Sequence, residues 1–343
     1  MTKNSFSPEK FKLITKQLEQ QKKNQKEFLI NGIQTVPVPQ DILNKLIWTA
    51  GEDIHEIMSH HSGYDLHNKI ESLQRALKTY RKCYMDLTVS LDAFDTTSKD
   101  ATLFQRPRAV ELEEHEIRCR KEIFSLSCAA ATLVDIAYHV TNHITIHDFD
   151  GIRKNNFDAN QHAFIKKLRN NLNHVTFLES DWAVKNVGQE QTSHFEFRAA
   201  KLLRDGEFNK KARDYIENQG KTIDIRNLFT SYHNCIDTFY GWLIPKIEQQ
   251  LPMKVQDYRK CIKEMQANSA KCWYRILFPQ IIRRGTDLYS HLHKYLTPEE
   301  LREVNALPHR SKEQIDQIIE LVDEYGACND ELREMVYKAF SVK

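Results

Sequence analysis

The chain has 343 residues, with 49 lysines and arginines against 47 aspartates and glutamates and a formal net charge of +2. That length favours about two domains and is ample for a real hydrophobic core. The near-neutral balance excludes the global basic field of proteins that coat nucleic acid, so a nucleic-acid partner would have to use a local patch.

Only ten glycines and nine prolines punctuate the sequence, which favours long helices over many short strands. Ser7-Pro8-Glu9 reads as a helix start, with serine as N-cap and proline at the first helical position, and that helix runs to about residue 30. Val36 to Pro39 is a linker, a second helix covers 41 to 60, and Ser62-Gly63 breaks it. Ile70, Leu73, Leu77, Tyr80, Tyr84, Leu87, Leu91 and Phe94 recur by threes and fours, marking one face of a long bundle helix. After a polar loop, a second long helix spans about 109 to 144. Its middle, residues 123 to 131, is apolar on most sides and rich in small residues, which places it at the bundle centre.

Asp158-Ala159-Asn160-Gln161 has the form of a capping box opening a third helix, with Ile165, Leu168 and Leu172 on its apolar face and an end near Asn173. Trp182 to Val187, a turn at Gly188, and His194 to Arg198 read as a β-hairpin. A short helix from 209 to 218 stops at Gly220, and a last bundle helix carries Leu228, Tyr232, Cys235, Phe239 and Trp242 and ends near Pro245. Residues 253 to 343 give further helices, one broken or kinked at Pro279 and others opened by Thr297-Pro298 and Ser311. The expected organisation is an amino-terminal helical extension (1–64), a helical bundle (65–250) and a carboxy-terminal helical region (251–343).

The seven cysteines are odd in number and form no CxxC pair, so a reducing compartment without a disulfide framework is expected. No run of about 18 apolar residues is visible and the amino terminus has no signal-peptide core, so the expectation is a cytoplasmic protein with no membrane contact.

The stretch that carries chemistry is Arg169-Asn170-Asn171-Leu172-Asn173-His174. Cleaving RNA without a metal requires a proton taken from the 2′-hydroxyl, a proton given to the leaving 5′-oxygen, and stabilisation of the phosphate charge. Histidine suits the proton work because its ordinary pKa, about 6.5, lies near working pH. Arginine suits the phosphate because its planar fork stays charged and binds two oxygens. Residues five apart on an unbroken helix are rotated by roughly 140°. The pair therefore converges within one chain only if the helix ends between them, as the three asparagines favour. The competing reading is a helix terminus with a surface arginine and a histidine whose cation favours the dipole. Between 151 and 215 there are 12 lysines and arginines against 8 acids, a modest local excess that ordinary solvated surface also produces.

This segment resembles the signature of the HEPN superfamily: an arginine, four to six residues and a histidine, often with asparagine after the arginine, at the end of the third bundle helix. The resemblance covers residues 65–250. It implies a mainly α, HEPN-like four-helix bundle with a small β-hairpin insertion, flanked by helical extensions at both ends. It further implies a metal-independent endoribonuclease that needs no cofactor and works as a homodimer. In such an enzyme Arg169 and His174 are catalytic, Asn170 is a supporting polar residue, and the products end in a 2′,3′-cyclic phosphate and a 5′-hydroxyl. The implied setting is a toxin or antiviral effector, with a regulatory or antitoxin protein as partner. The alternative is a non-catalytic module of the same fold that binds a protein or a nucleotide.

Other groupings compete. Asp135, amid Leu133, Val134 and Ile136, is expected to need a partner; it could orient Arg169 or His174, serve another internal contact, or reach solvent. Arg226-Asn227 with His233 fits the longer motif spacing, as do Arg108 with His115, Arg284 with His291, and Arg302 with His309. His55, His60 and His61 read as a polar helix end rather than a zinc site, because no cysteine or acid lies at ligand spacing. His139, His143 and His147, spaced by four on one expected helix, read as packing or surface residues before metal ligands.

Overall fold

The computed structural model describes residues 8–49, 53–174, 181–187 and 190–342 and is mainly helical. It divides into two compact units, residues 66–252 and residues 1–65 together with 253–343.

The central unit is built on four long helices: α4 (Tyr64–Ser98), α5 (Ala109–Thr141), α7 (Ala159–His174) and α10 (Ile225–Gln249). Seven of the eight periodic positions of α4 are buried, and the eighth, Tyr84, stacks its ring on His233 of α10 at 3.8 Å between centroids. α4 and α10 run antiparallel: Gln74 reaches Glu248, Arg81 reaches Asp237 and Arg226 reaches Asp92, so partners descend one helix as they climb the other. The small-residue stretch of α5 is central as expected, with Ser127, Ala130 and Ala131 buried. The segment Arg106–Thr141, which includes α5, is the one helix among the described residues that is long and apolar enough to cross a membrane by length and composition. Ile123, Leu126, Leu133, Ala137 and Val140 of that helix are buried, so the bundle core accounts for the apolar stretch.

Three short helices differ from the sequence expectation. α6 (Phe149–Asn156) lies between α5 and α7. The expected helix over 41–60 is described as α2 (Gln40–Trp48) and α3 (Asp53–Ser59). The hairpin forms as β1 (Asp181–Val187) paired antiparallel with β2 (Glu190–Arg198), setting Trp182 opposite Phe195; its Gly188 turn lies outside the described residues. A third strand, β3 (Thr222–Asp224), adds to the far edge of β2. The sheet is fastened to the end of α4, where Asp95 accepts from the Ser193 amide at 2.7 Å and Phe94 meets Phe195 edge-on at 4.8 Å. α8 (Ala199–Asp205) and α9 (Lys210–Asn218) lead to β3.

In the second unit, α1 (Pro8–Ile33), α2, α3 and α11 (Met253–Arg284) share a core of Leu29, Ile33, Leu46, Ile57, Met58 and Tyr258. Ser7, the expected N-cap of α1, lies outside the described residues. α12 (Pro298–Asn305), α13 (Lys312–Val322) and α14 (Asp330–Ala339) close a further core around Val304, Ile315 and Val336. Thr297 makes the expected capping box with Glu300, and Ser311 caps α13. Neither Pro245 nor Pro279 ends its helix.

Candidate functional site

α7 positions the candidate residues. Asp158 caps it, accepting from the amides of Asn160 at 2.7 Å and Gln161 at 3.3 Å. The reciprocal half of the expected capping box is replaced: the Gln161 side chain turns to the Ser231 hydroxyl at 2.6 Å and ties α7 to α10. Phe164, Ile165 and Leu168 are fully buried and fix the rotation of the helix.

The helix does not end between Arg169 and His174, contrary to the expectation from the three asparagines; it runs through His174. Asn171 shows why. Its buried side chain is occupied elsewhere, donating to the Lys167 carbonyl at 2.9 Å and the Glu207 carbonyl at 3.3 Å and accepting from the Glu207 amide at 2.7 Å. The two bonds to Glu207 engage the amide in tertiary contact and pin the loop before α9 to α7. Positions 169 and 174 of one chain therefore leave the helix axis roughly 140° apart. The His174 side chain lies outside the described residues.

Arg169 is half-exposed, and its Nη1 stands 4.0 Å from Asp135 Oδ2, at the outer limit of an ion pair. Asp135 is exposed, at 53% of its side chain, rather than buried. At that distance and exposure the pair orients the guanidinium loosely, and among the described residues no other acid pairs with it.

Asn170, one residue on, lines a cleft of about 740 Å³ between α5, α6, α7 and α10. Arg153, Lys154, Lys166, Lys167 and Lys211 also line it, against a single carboxylate, Asp158, which is committed to capping α7. Tyr138, Phe157, Phe239 and Tyr240 supply aromatic walls. His162 lines the same cleft with Nδ1 2.9 Å from the Tyr232 hydroxyl. Burial, reinforced by Lys166 and Arg153, pushes the His162 pKa down and keeps the ring neutral at neutral pH. Sequence reading missed His162 and the cleft because the cations come from three separate segments.

Three of the competing arginines, Arg226, Arg108 and Arg302, are held in ion pairs within the fold. Arg226 pairs with Asp92 at 2.7 Å, and His233 stacks on Tyr84 with Nε2 3.3 Å from Asp237. Arg108 and Arg302 are held by neighbouring acids, Glu111 and Glu299. α5 ends at Thr141, so His139, His143 and His147 do not share one helix; His143 bonds to Lys69.

His60 does sit at an exposed helix end, bonded to the Glu56 carbonyl. His61 does not. It is buried beside Asp257 and Cys261, with the three ligand-type atoms within 4.8 Å of one another. The Gly63 amide donates to His61 Nδ1 at 2.9 Å, which leaves the ring proton on Nε2 to donate to Asp257 at 3.2 Å. The same Asp257 oxygen accepts from the Val38 amide at 2.9 Å, and burial pushes the Cys261 thiol up to about 12. His61 and Asp257 are already bonded and the Cys261 thiol holds its proton, and a metal on Nε2 would set an Nδ1 proton against the Gly63 amide. The cluster is a latch between the Val38 linker and α11. It was not legible because Asp257 lies 196 residues from His61.

All seven cysteines are free. Comparisons of the chain with family models, with curated proteins and with solved structures find no match.

Proposed function

We propose that this chain is a metal-independent endoribonuclease of HEPN type that acts as a homodimer, with Arg169 holding the scissile phosphate, His174 moving protons and Asn170 supporting the bound RNA. The observation that carries the reading is the placement of Asn170 in a cationic cleft while its neighbour Arg169 is half-exposed and only loosely paired.

Because α7 is unbroken, the guanidinium and imidazole that act on one phosphate come from different copies of the chain. A two-fold axis brings residue 169 of one copy to residue 174 of the other and makes two equivalent sites. The biological role that fits is a cytoplasmic toxin or phage-defence effector restrained by a regulatory or antitoxin protein. Purified protein incubated with RNA in excess EDTA should generate 2′,3′-cyclic phosphate and 5′-hydroxyl ends. His174→Ala should reduce the rate by at least about 100-fold, as expected for loss of a general acid or base. Equal cutting by both proteins removes the assignment.

The same unbroken helix favours a second reading, a non-catalytic module of the same fold that binds a protein or a nucleotide. It predicts that Arg169→Ala alters complex formation while no RNA is cut by any form of the protein.

A further inference from the structure

The cleft beside Asn170 has two features that the cleavage reading does not use. The first is its combination of a cationic rim with accessible aromatic faces. Lys154, Lys166 and Lys211 are exposed at its edge, while Tyr138 and Phe157 are only partly covered. A double helix presents phosphates to such a rim but keeps its bases stacked on each other, so the aromatic faces would find no partner. An unpaired nucleotide presents both a phosphate and a free π-face. The volume, about 740 Å³, lies within the range of small-ligand pockets and suits one or two nucleotides.

The second feature is His162. The buried Tyr232 hydroxyl needs an acceptor for its proton, and among the described residues its hydrogen-bond partner is His162 Nδ1. The tyrosine therefore fixes the tautomer, placing the ring proton on Nε2. That N–H has no protein acceptor among the described residues and belongs to a ring that lines the cleft. It is a neutral, oriented donor in a site otherwise lined by mobile cations, suited to a phosphate or base oxygen held at a fixed place.

We infer that this cleft is the subsite for one unpaired nucleotide of the RNA chain, with Lys166 and Lys211 on its phosphate, Tyr138 or Phe157 against its base and His162 Nε2–H on a ligand oxygen. The inference rests on the RNA reading for the identity of the polymer, and it specifies that the protein takes single-stranded segments. His162 is here a positioning residue.

The test is fluorescence anisotropy with a fluorescein-labelled RNA oligonucleotide carrying 2′-O-methyl sugars, which cannot be cleaved, used alone and annealed to its complement. The single strand should bind at least about tenfold more tightly than the duplex, since only it can stack. Lys166→Ala with Lys211→Ala should weaken single-strand binding about tenfold and flatten the slope of log affinity against log salt by about 0.7, the loss of one neutralised phosphate. Tyr138→Ala should weaken it at least about fivefold with little change in that slope. All three side chains are exposed, so unchanged thermal melts will show that the fold is kept. Equal affinity for duplex and single strand, or affinity indifferent to these substitutions, overturns the inference. The probe separates the two proposals. Tight single-strand binding with no cleavage of ordinary RNA leaves the subsite and removes the nuclease. Cleavage with binding unaffected by the cleft variants does the reverse.

Discussion

Single residues in this chain divide into those whose chemistry is consumed by the fold and those whose chemistry is free. Asn171 is consumed: its buried amide makes three hydrogen bonds, two of them to the backbone of Glu207. Asn171→Ala should cost about 2–3 kcal/mol in chemical denaturation, because buried backbone groups lose their partners. Arg169 is its neighbour and its opposite. Its ion pair with Asp135 is long and half-exposed, so Arg169→Ala and Asp135→Ala should each change stability by under about 0.5 kcal/mol. Loss of activity in Arg169→Ala then reports on chemistry and not on folding. Tyr80 shows a third condition. It is fully buried and its hydroxyl has no hydrogen-bond partner among the described residues. Tyr80→Phe should therefore be neutral or stabilising by up to about 1 kcal/mol in the same assay. None of these distinctions is written in the local sequence, since Asn170 and Asn171 are the same residue type one position apart. Only the rotation of the helix sends one to the cleft and the other to the core.

Among elements, legibility followed periodicity. The apolar face of α4 could be read nearly residue by residue, because burial on one side of a long helix imposes spacings of three and four. The start of α7 was equally legible, and Asp158→Ala should destabilise the protein by about 1 kcal/mol through loss of its N-cap bonds. What failed were inferences from residue type alone. The asparagines do not interrupt α7 between Arg169 and His174, although its span to His174 agrees with the expected end near Asn173, and Pro279 does not break α11. In each case tertiary contacts along the helix outweighed a local preference. β3 was invisible for a related reason: three residues carry no measurable alternation, and the strand exists because β2 offers an edge.

At the scale of the molecule, residues 1–65 and 253–343 form one compact unit although the whole central unit separates them in sequence. No local pattern announces such a joining, and the His61–Asp257 latch within it was unreadable for the same reason. His61 in that unit, and His162 and His233 in the central one, all have pKa values held below the ordinary 6.5, with burial as the first cause in each. A histidine whose folded pKa is lowered takes up a proton more readily when unfolded. Stability should therefore be full above about pH 7 and fall as the pH drops through 6.5 toward the lowered folded values. Thermal melts between pH 8 and pH 5 check the sign, and replacing His162 by Gln should flatten the decline. The largest proposal concerns two molecules rather than one: with positions 169 and 174 roughly 140° apart on α7, the proposed nuclease site joins Arg169 of one copy to His174 of another. Arg169→Ala and His174→Ala proteins, each inactive alone, can be mixed and allowed to exchange subunits before RNA cleavage is measured in EDTA. Half of the dimers would then be mixed and each would carry one intact site, so activity should recover to about a quarter of the unmodified protein's. A mixture as inactive as either variant, beside an unmodified protein that cuts, would contradict the shared site.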